Sequence, residues 1–354
     1  MTPTPHPDGR AESRAPVPAL VHALTATARA AAHPGAGETS CACGPAPGTL
    51  ADRPDATVVR HADIVAKAHA PGTDPTELAQ RLTAAARHPD VLLPPLATAP
   101  APLHDRQVTL WPYGAPVDPD DPDAAPWEAA ATLLARLHRA PVPARLPPMR
   151  GPLKAAHAIA RLHAALAGTP GSPAPGPRAP GFPAPGSAAP GPREAALPVL
   201  RAWAALPAWA RAEAPMPGPA ALCHGDLHLG QLVRHPAPDG PWRLIDVDDL
   251  GAGVAAWDLA RPAAWYACGL LLPDEWSRFL TAYRAADGPA VPADGDPWPA
   301  LDVPARALTV QTAARALTKS LGAGRPLDEA EQALVDACAR MTSVPPQLTS
   351  RIPD

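Results

Sequence analysis

Residues 222–250 read LCHGDLHLGQLVRHPAPDGPWRLIDVDDL, with three histidines, five aspartates and a glutamine set between short apolar runs. The other long segments of the chain are mostly Ala, Pro and Leu, so chemistry is concentrated here. Ala221-Leu222-Cys223 is a short apolar entry and His224-Gly225-Asp226 a turn. Leu232-Val233 predicts one strand and Trp242-Arg243-Leu244-Ile245 a second, joined as a hairpin by the turn from Pro236 to Pro241. Such a hairpin carries Asp226 and Gln231 towards Asp246. Two carboxylates and an amide carbonyl are hard oxygen ligands, which suit Mg²⁺ and a phosphate-bearing substrate better than zinc.

A lone His-Gly-Asp is an ordinary turn. Joined to His228, Gln231 and the hydrophobic-Asp element Ile245-Asp246, it resembles the catalytic and metal-binding loops of the aminoglycoside phosphotransferase and choline kinase-like family, small-molecule relatives of the protein kinases. The resemblance implies an α+β, bilobal protein kinase-like fold, with a small antiparallel-sheet N-lobe and a mostly helical C-lobe. It implies ATP and Mg²⁺ as cofactors, Asp226 as the base facing an acceptor hydroxyl, and Asp246 as the holder of Mg²⁺ on the nucleotide phosphates. Gln231 stands where the family usually has Asn; its Gly-Gln pair resembles the maltokinase branch, and it offers the same amide oxygen to a metal from one methylene further out. His224 and His228 are read as loop-bracing residues, His235 as a solvated loop residue, and Asp248 and Asp249 as a solvated acidic rim. Asp258, in Trp257-Asp258-Leu259-Ala260, matches a position that caps a helix and braces the loop.

Composition is consistent with this class. The chain has 354 residues, enough for one bilobal unit; its 46% hydrophobic content with only 4% aromatics predicts helices packed through small side chains. The 54 prolines reflect coding bias more than structure, although each should end a helix where it falls. A net charge of −4 with no long basic run argues against nucleic-acid partners. Five cysteines without a CxxC pair fit a reduced protein, with Cys41-Ala42-Cys43 read as a strand. No apolar run reaches membrane-spanning length and the N-terminus lacks a signal-peptide layout, so the expectation is a cytoplasmic protein without a membrane partner. Its partner is a small-molecule hydroxyl acceptor, and the sequence is silent on oligomeric state.

The expected organisation is a disordered N-terminus at 1–15, an N-lobe at 16–110, a hinge and linker at 111–125, a C-lobe at 126–341 and a tail at 342–354. A helix is predicted over Pro16–Ala32, followed by loop to Thr49. A β-hairpin follows, Thr57–Arg60 with Asp63–Lys67. By resemblance Lys67 reaches the α- and β-phosphates. The next helix opens at Asp74-Pro75-Thr76-Glu77, where Glu77 either completes a capping box or pairs with Lys67, as a helix glutamate does in kinases; the ion pair is the preferred expectation. Val91-Leu92-Leu93 and Gln107–Leu110 complete the sheet, and Trp111-Pro112-Tyr113-Gly114 resembles the hinge whose backbone binds an adenine-like ring. Pro126–Arg139 and Lys154–Ala167 are helices, Gly168–Pro192 is a flexible Pro/Gly/Ala insertion, and the remainder is largely helical around a flexible Gly251-Ala252-Gly253 turn.

The expected activity is ATP-dependent phosphorylation of a hydroxyl on an aminoglycoside, sugar or amino alcohol. The competing expectation is a catalytically degenerate kinase-fold module that binds a nucleotide or metabolite without transfer. A zinc hydrolase built on His224 and His228 lacks a third nitrogen or sulfur ligand.

Overall fold

The computed structural model describes residues 17–34, 48–168 and 192–343. The expected disordered start, the Cys41–Cys43 strand, nearly all of the 168–192 insertion and the tail beyond 343 lie outside them. Contacts divide the chain into two compact units, Met1–Ala115 with Arg234–Arg243, and Pro116–Val233 with Leu244–Asp354.

The first unit is a five-stranded antiparallel sheet with helices. The helix α1 (Val17–Ala32) lays Leu20, Leu24 and Ala28, its one apolar stripe, against Val59, Ala66, Ala68 and Val108 of the sheet. Strands β1 (Gly48–Arg53), β2 (Ala56–His61) and β3 (Ile64–Ala68) form a meander, and after helix α2 (Pro75–Arg87) come β4 (Ala101–Leu103) and β5 (Arg106–Pro112). The order is β1-β2-β3-β5-β4, so β3 is central and Lys67 lies between Val58 on one side and Thr109 on the other. Residues 48 and 49, expected as loop, begin β1. Val91-Leu92-Leu93 is not a strand: the Val91 and Leu92 amides both bond the His88 carbonyl, and the run is a buried plug that follows α2. Three consecutive buried apolar side chains satisfy that plug as readily as a strand, which is why pattern alone misplaced them.

The second unit is mostly helical. After the short strand β6 (Ala115–Pro116) come α3 (Trp127–Arg139), α4 (Gly151–Gly168), α5 (Pro192–Ala204), α6 (Ala260–Ala267), α7 (Pro273–Ala285), α8 (Trp298–Ala323) and α9 (Glu329–Ser343). The 26-residue α8 is the spine, contacted by α4, α5, α6 and α9. Leu162, Leu166, Val310, Ala313, Ala314, Leu317, Leu334 and Val335 share one core there, dominated by small and aliphatic side chains as the low aromatic content predicts. Strands β7 (Ala221–Cys223) and β10 (Gly251–Gly253) form a two-stranded antiparallel ribbon, and β8 (Leu232–Arg234) pairs with β9 (Trp242–Leu244) as the expected hairpin. Gly251-Ala252-Gly253 is therefore a strand, not a flexible turn; its alternating partners on β7 supply the ladder that fixes it.

Candidate active site

The β7–β10 ribbon brings the two aspartate-bearing loops together. Cys223 pairs with Gly251, so His224-Gly225-Asp226 leaves one strand beside the point where residues 246–250 enter the other. Gly225 has φ +85°, and a Cβ there would lie 2.4 Å from the Asp249 carbonyl oxygen, so only glycine permits this approach. Gly251 does the same on the other side: a Cβ there would lie 2.3 Å from the Met149 nitrogen. The chain at Pro147–Met149 thereby runs alongside β10, bonded to Ala252 in both directions, and delivers the start of α4 to the aspartate loops.

Beneath the loop is a buried hydrogen-bonded network, in which, among the described residues, His224 Nδ1 alone lacks a partner. Asp258 accepts the His224 amide at 2.6 Å and the Gly225 amide at 2.7 Å. It also accepts His138 Nε2 at 3.0 Å, and His138 Nδ1 in turn accepts the Tyr283 hydroxyl at 2.7 Å. Tyr283 closes the chain by accepting the Ala290 amide, and burial pushes its phenol upward. His224 Nε2 donates to the Ile245 carbonyl at 2.8 Å, which ties the residue two before Asp226 to the residue before Asp246. Asp258 and His224 therefore brace the loop as expected, but Asp258 does not cap the following helix, which starts after Leu259 with no side-chain cap. His138, Cys223 and Asp258 are the one described trio close enough to share a metal, and His138 and Asp258 are already committed to this network.

Asp226 is gripped on both oxygens. Its Oδ1 accepts Arg261 Nη2 at 2.5 Å and its Oδ2 accepts Lys154 Nζ at 2.6 Å. Burial alone would raise its pKa, but Lys154 and then Arg261 outweigh it and hold the carboxyl at about 2. Lys154 also reaches Asp249 Oδ2 at 2.6 Å. Asp249 moves the opposite way, upward, because it is buried more deeply and lies near the charges of Asp226 and Asp246. The expectation of a solvated rim at Asp249 is thus corrected: the half-buried Lys154 draws it in. His228 is pushed down to about 4 by burial and by Arg261, so it is neutral at pH 7.

Gln231 and Asp246 are brought together. Gln231 Nε2 lies 3.4 Å from Asp246 Oδ2, and the Ile245 amide donates to the Gln231 carbonyl at 2.9 Å. Asp246 sits at φ +67°, a left-handed conformation that Asp tolerates better than most residues. The donor set, one carboxylate and one side-chain amide, consists of hard oxygens once the amide turns its oxygen inward, and so fits Mg²⁺.

In the first unit, Lys67 is buried on the central strand. Glu77 pairs with Arg81, one turn further along α2, at 3.1 Å, and not with Lys67. Nor does it close a capping box; Asp74 alone caps α2, accepting the Thr76 and Glu77 amides. The side chain of Arg81 is almost wholly buried, and Glu77 supplies a carboxylate beside it. Trp111 is buried, its indole N–H donating to Thr109 Oγ1 at 2.8 Å. The backbone of Tyr113 is already occupied: its amide donates to the Asp63 carbonyl at 2.7 Å and its carbonyl accepts His235 Nδ1 at 3.0 Å. The Tyr113 amide is therefore committed, its carbonyl keeps a second lone pair, and His235, expected as a solvated loop residue, is its partner.

A model of the phosphotransferase enzyme family (APH) matches residues 51–304. The chain belongs to this family. No curated protein matches it. Among solved structures, a thermostable mutant of the aminoglycoside phosphotransferase APH(4)-Ia, in apo form, is similar at 10% identity and a TM-score of 0.53, over 85% of this chain and 96% of that one. A second mutant of that enzyme, in a ternary complex with AMP-PNP and hygromycin B, gives 11% identity and a TM-score of 0.50, over 85% and 95%. A choline/ethanolamine kinase family protein from Mesorhizobium loti gives 18% identity and a TM-score of 0.49, over 92% and 96%. The phosphotransferase family and its kinase-like fold are those the 222–250 stretch implied. No described helix is long and apolar enough to cross a membrane.

Lys154 and Asp249 were missed by sequence reasoning, yet one signal was present. Lysine occurs at 67, 154 and 319 alone, in a chain with 30 Lys and Arg residues together. Against so many arginines, the three lysines stand out, and two of them, Lys67 and Lys154, are the ones drawn inward.

Proposed function

We propose that this phosphotransferase moves the γ-phosphoryl group of ATP to a hydroxyl of a small molecule of the aminoglycoside, sugar or amino-alcohol class. The observation that carries the reading is Asp226: a buried carboxylate kept ionised by two cations, on a loop whose backbone is clamped from below by Asp258. A carboxylate with so low a pKa is a weak base, so its task is to orient the hydroxyl and take its proton late, when the bond to phosphorus is largely made. Phosphoryl transfer asks for this kind of positioning and charge rather than a reactive nucleophile. We assign Lys67 to the nucleotide phosphates. Gln231 and Asp246 would hold Mg²⁺, which when bound supplies positive charge to those phosphates.

The test is ADP release from Mg-ATP across a panel of choline, ethanolamine, spectinomycin, hygromycin B and simple sugars. Phosphorylation of at least one acceptor is expected. Asp226→Asn should lower turnover by about a hundredfold or more while ATP binding stays intact. Normal turnover in that variant sinks the assignment; nucleotide binding with no transfer to any acceptor points instead to a degenerate binding module.

A further inference from the structure

Lys154 occupies the first turn of α4, where the exposed amides of a helix start disfavour a cation. Two carboxylates from different loops hold it there, Asp226 and Asp249, each at 2.6 Å. An ammonium has three N–H donors. The carboxylates take two of them, which leaves a third donor on a side chain that remains 23% exposed, beside Asp226. Arg261 is differently placed: it grips the other oxygen of Asp226 and is anchored through Nε to the Leu227 carbonyl at 2.8 Å. Asp226 is thus held by two cations, one on each oxygen, each anchored from a different segment.

We propose that Lys154 is a catalytic residue of the transfer, lending its third N–H to an oxygen of the phosphoryl group in flight while steering Asp226 onto the acceptor hydroxyl. The proposal rests on the phosphotransfer reading above. In that step the acceptor oxygen bonds to the γ-phosphorus, and the bond from that phosphorus to the β–γ bridging oxygen breaks. ADP leaves with that electron pair, and the hydroxyl proton passes to Asp226 and then to solvent. Charge gathers on the equatorial phosphoryl oxygens as this happens, and a cation already fixed in place stabilises it without reorganising.

The experiment follows ADP release from Mg-ATP, with water as acceptor and with the acceptor the panel selects, in the wild type, Lys154→Gln, Lys154→Arg and the exposed control Lys319→Gln. Lys154→Gln should lose about a hundredfold in kcat with KM for ATP within about threefold. Lys154→Arg should recover part of the loss, since charge returns on a bulkier fork. Lys319→Gln should match the wild type. The acidic limb of the pH profile should move to higher pH in Lys154→Gln, because Asp226 loses the neighbour that keeps it ionised. Lys154→Gln turnover near that of the wild type with an unmoved acidic limb overturns the proposal, even if the melting temperature falls. Should Lys154→Gln not fold, Lys154→Arg decides: a kcat drop of about tenfold supports the proposal and an unchanged kcat overturns it. A wild type that turns over while Lys154→Gln also turns over normally refutes Lys154 alone; a wild type inactive with every acceptor refutes the phosphotransfer reading itself.

Discussion

Asp226 is charged at a place where burial opposes charge, and the difference is made up by Lys154 and Arg261. With its carboxyl at about 2, against roughly 3.9 for an unperturbed Asp, the folded state prefers the ionised form by about 2–3 kcal/mol. Because the folded value lies below the unfolded one, this contribution is present above about pH 4 and is lost as pH falls towards 2. Urea unfolding of the wild type and Asp226→Asn, compared from pH 6 to pH 2.5, should therefore show a stability gap that closes across that window. A gap independent of pH would mean that the two cations do not stabilise the charge. The motif made Asp226 legible in the sequence. Its environment was not, since Lys154 is 72 residues upstream and Arg261 is 35 downstream.

At the scale of elements, the β7–β10 ribbon decides which acids meet. The hairpin expected from 232–245 does form, but Asp226 and Asp249 share a cation because Cys223 and Gly251 are ladder partners. Gly225→Ala should separate the two loops, since its Cβ falls 2.4 Å from a backbone oxygen and its φ is +85°. We expect a loss of about 3 kcal/mol in guanidinium unfolding, with turnover falling alongside. Wild-type stability in that variant would show that the approach is slack. His-Gly-Asp named the glycine in advance. What it touches depends on a strand read from the sequence as a loose turn, because Gly-Ala-Gly has no β-propensity and takes its conformation from its partner.

For the whole molecule, stability resides in helices packed through alanine, leucine and valine around α8. Leu162 is fully buried in the core it shares with Val310, Ala314 and Leu317. Leu162→Ala should cost about 2–5 kcal/mol in chemical denaturation, and a cost below about 1 kcal/mol would indicate a core that collapses freely. By itself the sequence determined the family, the α+β fold, the helical stripes and the aspartates of the 222–250 stretch, because these rest on local patterns of spacing and polarity. Only the tertiary structure decided the partners: Glu77 with Arg81 instead of Lys67, Tyr113 with Asp63 and His235, and Lys154 between Asp226 and Asp249. A charge takes the nearest opposite charge once the backbone is packed, and that proximity between distant segments is set by glycines and strand register that no local pattern encodes.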